Sequence, residues 1–96
     1  MQTTLWFLVE STVTTLDSVK AIIGDVLQLG PRQDILTAET PLLGNMPELD
    51  SMAVVALIAT IEEKFGILID DDEVDASTFA TLGTLTAFVE QKLQTA

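Results

Sequence analysis

The chain predicts an all-α fold: a four-helix bundle of three main helices plus one short helix, with a long ordered loop between helices I and II. Three observations carry that reading. Apolar residues recur at helical spacing over about 15–29, 51–65 and 81–94. No segment alternates apolar and polar residues for long enough to build a sheet. Residues 30–50 lack a sustained period yet keep six large apolar side chains, so they belong to the folded unit rather than to a linker.

The elements follow in chain order. Residues 1–13 read as an N-terminal extension of unassigned role, with Trp6 and Phe7 expected to pack against the bundle. Their one apolar run, Leu5-Trp6-Phe7-Leu8-Val9, is too short to span a bilayer. No Lys or Arg precedes it, so it lacks the n-region of a signal peptide. Thr14-Thr15-Leu16-Asp17 reads as a variant of the capping box and starts helix I. Leu16, Val19, Ile23 and Val26, widened by Ile22 and Leu29, form its stripe, and Gly30-Pro31 is expected to stop it because proline cannot continue the ladder. In the strap of residues 30–50, Ile35, Leu36, Leu42, Leu43, Met46 and Leu49 should fold back onto the helices. Helix II runs from about Ser51 to Phe65, with Gly66 as its C′ residue. Residues 67–75 begin apolar and end acidic, which predicts a turn or short helix. Leu82, Leu85, Phe88, Val89 and Leu93 give a last amphipathic helix over about 81–94.

Ninety-six residues make one folded unit, placed at 14–94. Hydrophobic residues at 48% are enough for a core without staples. Fifteen acids against four bases give a net charge of −11. That field repels phosphate backbones and anionic lipid, and it favours basic protein surfaces as partners. The chain has no Cys, His or Tyr. Thiol nucleophiles, thiolate metal sites and imidazole bases are therefore excluded, and the common nucleophile–base pairs cannot be assembled. Carboxylate-pair glycosidase chemistry needs a cleft that a small helical domain does not offer. The expectation is a soluble, cytoplasmic, monomeric protein that is not an enzyme. The run Asp70-Asp71-Asp72-Glu73 fails the EF-hand template, because the required sixth-position glycine is Asp75 or Ala76 depending on the start. No metal site is expected.

Helix II is the most informative element. On a wheel with Ser51 at zero, Leu57, Ile61, Val54, Phe65 and Ile58 fall between about 240° and 340°, an ordinary core stripe. Val55, Ala59, Met52 and Ala56 then occupy the opposite side, from about 40° to 140°. Only Glu62 and Glu63 lend that side charge. A helix apolar nearly all round is either buried all round or has a second apolar face with a use. Either the strap covers this face, or it is a docking patch of small, flexible apolar groups rimmed by carboxylates.

Asp50-Ser51 sits where the strap becomes helix II. Taken alone, both residues read as caps for orphan N–H groups. The ordered set is more specific: an acidic chain without nucleophiles, a strap ending in Asp50-Ser51-Met52, and an apolar helix closing on Glu62-Glu63-Lys64-Phe65. This pattern resembles the acyl carrier protein family, as do Val19-Lys20-Ala21-Ile22-Ile23-Gly24-Asp25 and the acidic segment after Ile69. The resemblance covers about residues 14–93. It implies a serine esterified with 4′-phosphopantetheine, taken from coenzyme A by a Mg²⁺-dependent transferase, whose terminal thiol holds acyl groups as thioesters. The matching position is Ser51, with Asp50 assisting recognition by the transferase and Met52, Val55, Glu62 and Glu63 contacting partners; Ala56 and Ala59 complete the docking face. A helix N-terminus tolerates the phosphodiester anion, and the arm would give a cysteine-free chain its thiol.

The chain also departs from the family pattern. Where the family commonly has glycine three residues before the serine, this chain has Glu48, and Asn45-Met46-Pro47-Glu48 looks like a small insertion. Ala53 and Ala56 stand at positions that are often acidic in carriers of fatty-acid synthesis. These departures point to a dedicated lipid, polysaccharide-linked or secondary-metabolite pathway. A peptidyl carrier with an aminoacyl cargo stays open, as does an unmodified acidic adaptor that binds a basic protein and uses Ser51 only as a cap.

Overall fold

The structure is a computed structural model, and it describes residues 15–95. The N-terminal extension, its Leu5–Val9 run and the capping residue Thr14 lie outside the described residues. Three long helices make the frame: α1 over residues 15–26, α2 over Ser51–Phe65 and α3 over Leu82–Thr95. Two 3₁₀ pieces join them, at Gly30–Ile35 and Asp71–Glu73. The architecture is the all-α bundle of three main helices with a long loop between the first two; the short helix expected within 67–75 is the 3₁₀ turn Asp71–Glu73, and the loop holds a second 3₁₀ piece. Among the described residues the only extended pairing is an isolated antiparallel bridge between Pro41 and Thr81.

Helix α1 ends earlier than the sequence suggests. The helix was expected to run to residue 29 and to stop at Gly30-Pro31, but the chain turns at Gln28, which takes a left-handed φ of 54°. The Leu29 N–H reaches back to the Gly24 carbonyl at 2.9 Å and the Gln28 N–H to the Asp25 carbonyl at 3.3 Å. That is a Schellman arrangement with glutamine where glycine is usual. Its benefit is Leu29, which the turn carries into the core. Pro31 then opens the first 3₁₀ piece instead of merely stopping α1, since its fixed φ suits a helical first turn and its missing N–H costs nothing there.

The strap is ordered, as expected, but only part of it faces inward. Leu36, Leu42 and Leu49 are buried and Met46 packs against them, whereas Leu43 is exposed and Ile35 is 76% exposed. Ile35 closes a six-residue 3₁₀ piece that has no buried residue, and Leu43 begins the turn that Gly44 completes at φ 85°. The strap is tied to the start of α3. The Leu42 and Leu43 amides donate to Ala80 and Phe79, and the Leu82 and Gly83 amides donate back to Thr40 and Ala38. A Cβ on Gly83 would stand 2.8 Å from the Ala38 carbonyl oxygen, so this close approach needs glycine.

Helix α2 has the predicted bounds. Gly66 ends it at φ 67°, with its own amide and that of Ile67 both donating to the Glu62 carbonyl. Helix α3 begins at a threonine box: the Thr84 N–H donates to Thr81 Oγ1 and the Thr81 N–H to Thr84 Oγ1, each at 3.0 Å. The core joins Val19, Ile22 and Ile23 of α1, Leu57 and Ile61 of α2, and Leu82, Leu85 and Val89 of α3, with Phe79, Ile67 and Ile69 from the loops. Leu93, expected in the last stripe, is 36% exposed at the end of α3. Thr15 ties the start of α1 to the last helix. Its hydroxyl crosses to α3 and donates to Glu90 Oε2 at 2.7 Å.

Candidate functional site

The start of α2 is built by two neighbouring residues with separate tasks. Asp50 is extended, and its Oδ1 accepts the Ala53 N–H at 2.8 Å while its carbonyl accepts the Val54 N–H at 2.9 Å. It is the N-cap. Ser51 is the first helical residue, exposed to solvent, and the first turn carries no acidic side chain. A primary hydroxyl at this place fits a phosphodiester: the helix end presents partial positive charge, and helix α2 offers no carboxylate within that turn to repel it. Among the sequence-singled residues, Ser51 and Asp50 are therefore adjacent in space as well as in sequence, with Met52 beside them and 78% exposed.

Glu48, at the position where glycine was expected, has an identifiable task. It forms an ion pair with Arg32 of the first 3₁₀ piece, clasping one end of the strap to the other. The guanidinium holds the Glu48 carboxyl below its usual range, and the carboxylate raises Arg32 in turn. No left-handed backbone is needed at residue 48. Among the described residues Gln28 is the sole non-glycine with positive φ, and the turn preceding the 45–48 segment uses Gly44.

The second face of α2 is open. Met52, Val55 at 66% exposure, Ala56, Ala59 and Glu63 all face solvent. The strap does not cover it, because its buried leucines enter the core and its hydrogen bonds go to α3. Glu62 differs from Glu63. It is half-buried, and its Oε2 accepts the Ile69 N–H at 2.8 Å, so it anchors the segment after α2.

Two features escaped sequence reasoning. Leu68 is 81% exposed between buried Ile67 and Ile69, and three adjacent apolar residues gave no sign of which one turns outward. An open groove of about 900 Å³ lies between α1 and the far half of α2, lined by Gly24, Gln28, Gln33, Thr60, Lys64 and Phe65 among others. It lies on the side of α2 away from the exposed stripe.

The acidic run after Ile69 is knit into local structure. The Asp70 N–H donates to Glu73 Oε2 at 2.8 Å, and Lys92 of α3 reaches both Glu73 oxygens at 2.7 and 3.0 Å. The lysine contact comes first in holding Glu73 below the usual carboxylate range. Asp75 is held low by the Ser77 hydroxyl, which donates at 2.6 Å, and by the backbone amide of Thr78. Among the described residues no group of three or more acids is placed to hold a metal ion, and no helix is long and apolar enough to cross a membrane.

Comparison with known proteins agrees with this arrangement. A family model described as a phosphopantetheine attachment site matches residues 17–89. The acyl carrier protein of Thermotoga maritima is 32% identical over 75 residues, covering 78% of this chain and 86% of its own. That of Chlamydia trachomatis serovar D is 33% identical over 76 residues, covering 79% and 92%. The solution NMR structure of a holo acyl carrier protein from Nitrosomonas europaea superposes with a TM-score of 0.77 at 58% identity, over 82% of this chain and 95% of that one. The chain belongs to the acyl carrier protein family, whose members are not enzymes but carriers that bear a covalent 4′-phosphopantetheine and work with a phosphopantetheinyl transferase and acyl-handling enzymes.

Proposed function

We propose that Ser51 is the residue esterified with 4′-phosphopantetheine, and that the folded unit at 14–94 acts as a monomeric carrier of acyl thioesters. The observation that carries this reading is the solvent-exposed serine at the first position of α2, spared from capping because Asp50 takes that task. Asp50 keeps a second carboxylate oxygen for the transferase while its first holds Ala53. Met52, Val55, Ala56, Ala59 and Glu63 form the face that partners dock on, with Glu62 at its margin, and cationic partner surfaces gain from the net charge of −11. The uncharged Ala53 and Ala56 and the Glu48–Arg32 clasp favour partners of a dedicated lipid, polysaccharide-linked or secondary-metabolite pathway over general fatty-acid synthesis.

The test uses coenzyme A, Mg²⁺ and a promiscuous phosphopantetheinyl transferase, with intact mass as the readout. Wild type should gain one arm and Ser51→Ala none. A correctly folded wild type that gains nothing would replace this reading with that of an unmodified acidic adaptor.

A further inference from the structure

On a chain with fifteen acids, residues 51–61 carry no charge at all, and their outward side is apolar. An uncharged stripe on so acidic a molecule marks a surface that is desolvated by a partner. The stripe does not stop with the helix. Gly66 reverses the chain, and the Ile69 amide is then held by the Glu62 carboxylate at 2.8 Å. On the helical wheel Glu62 lies at about 20°, next to Val55 at about 40° and Ala59 at about 80°. Residues 67–69 are therefore pinned against the margin of the exposed stripe. Ile67 and Ile69 enter the core, so the intervening side chain, Leu68, is turned to solvent at the foot of that stripe.

We infer that Leu68 is a docking contact continuous with Met52, Val55 and Ala59, and that Glu62 is a positioning residue which presents it, not a charge that pairs with the partner. The inference rests on Ser51 being the attachment site, because that makes the phosphopantetheinyl transferase the occupant of this face. The transferase must reach Ser51 at one end of α2, and Leu68 lies just past the other, about 21 Å of helix away. A standard interface buries about 800 Å² of each partner, a patch roughly 30 Å across, which spans both. The transferase surface that fits is an apolar trough along the stripe with a socket for Leu68, and with cationic groups at its two ends, facing Asp50 at one and Glu63 and Asp70 at the other.

The experiment measures modification of the whole chain by the transferase at several carrier concentrations, with Leu68→Asp, Glu62→Gln and Glu62→Ala. Leu68→Asp should melt like wild type and raise KM about tenfold with kcat unchanged. Glutamine keeps an oxygen that accepts the Ile69 amide, so Glu62→Gln should stay within about twofold of wild type, while Glu62→Ala should move toward Leu68→Asp. Wild-type kinetics for Leu68→Asp would overturn the contact. Equal losses for Glu62→Gln and Glu62→Ala, with a flattened salt dependence, would overturn the positioning role. Failure of the wild type to be modified would instead strike the assignment of Ser51, so the two failures are distinguishable.

Discussion

Asp50 closes the start of α2 through a single carboxylate bond to Ala53, and Ser51 follows it with its side chain in water. The pair could be read from the sequence as two capping residues, and only the extended backbone at residue 50 decides which one is the cap. Their substitutions should therefore separate. Asp50→Ala should cost about 1 kcal/mol in urea unfolding, the typical loss of an N-cap. Ser51→Ala should stay within about 0.5 kcal/mol of wild type, since alanine is at least as good a helix former. Equal losses would mean that Ser51 shares the cap. Glu48 is the residue at which pattern reasoning was least informative. Its carboxylate pairs with Arg32, and the left-handed backbone of this stretch lies at Gly44.

At the level of elements, legibility followed how local the deciding interactions are. The bounds of helix α2 are legible because the residues at its two ends signal locally: Asp50 caps with its carboxylate, and Gly66, having no Cβ, takes the left-handed turn without strain. The end of α1 is not legible in the sequence, because the left-handed turn at Gln28 carries Leu29 into the core, a tertiary demand that leaves no mark on the local sequence. The outward turns of Ile35, Leu43 and Leu68 were hidden for a related reason: each lies in an apolar stretch where backbone geometry, not residue type, selects the exposed side chain. The strap is held by hydrogen bonds to α3 and by the Arg32–Glu48 clasp. Because Glu48 titrates lower in the folded chain than in the unfolded one, the clasp contributes stability that is full at neutral pH and is lost as pH falls through the lowered value. Arg32→Met should accordingly melt below wild type at pH 7, and the gap should shrink and close as pH falls below the usual carboxylate range. A gap that persists or widens in acid would show that the clasp does not act through the Glu48 charge.

The molecule as a whole carries far more negative charge than its folded state uses. Among the described residues Arg32 and Lys92 make ion pairs with Glu48 and Glu73, and with fifteen acids against four bases most of the acids repel one another. Self-repulsion of this kind is screened by salt. Raising NaCl from about 20 mM to about 500 mM should raise the melting temperature, and a fall would mean that the ion pairs outweigh the repulsion. The same charge explains why an uncharged stripe on α2 stands apart from its surroundings and why a carrier role suits the chain. A chain with no thiol of its own gains one with the phosphopantetheine arm that its family carries.

That dependence on one hydroxyl gives the most direct measurement: fragmentation mass spectrometry of the enzymatically modified protein to locate the arm. The expected result is a single phosphopantetheinyl group on Ser51. An arm found on Ser18, Ser77 or any other hydroxyl, or none on a folded chain, would contradict it.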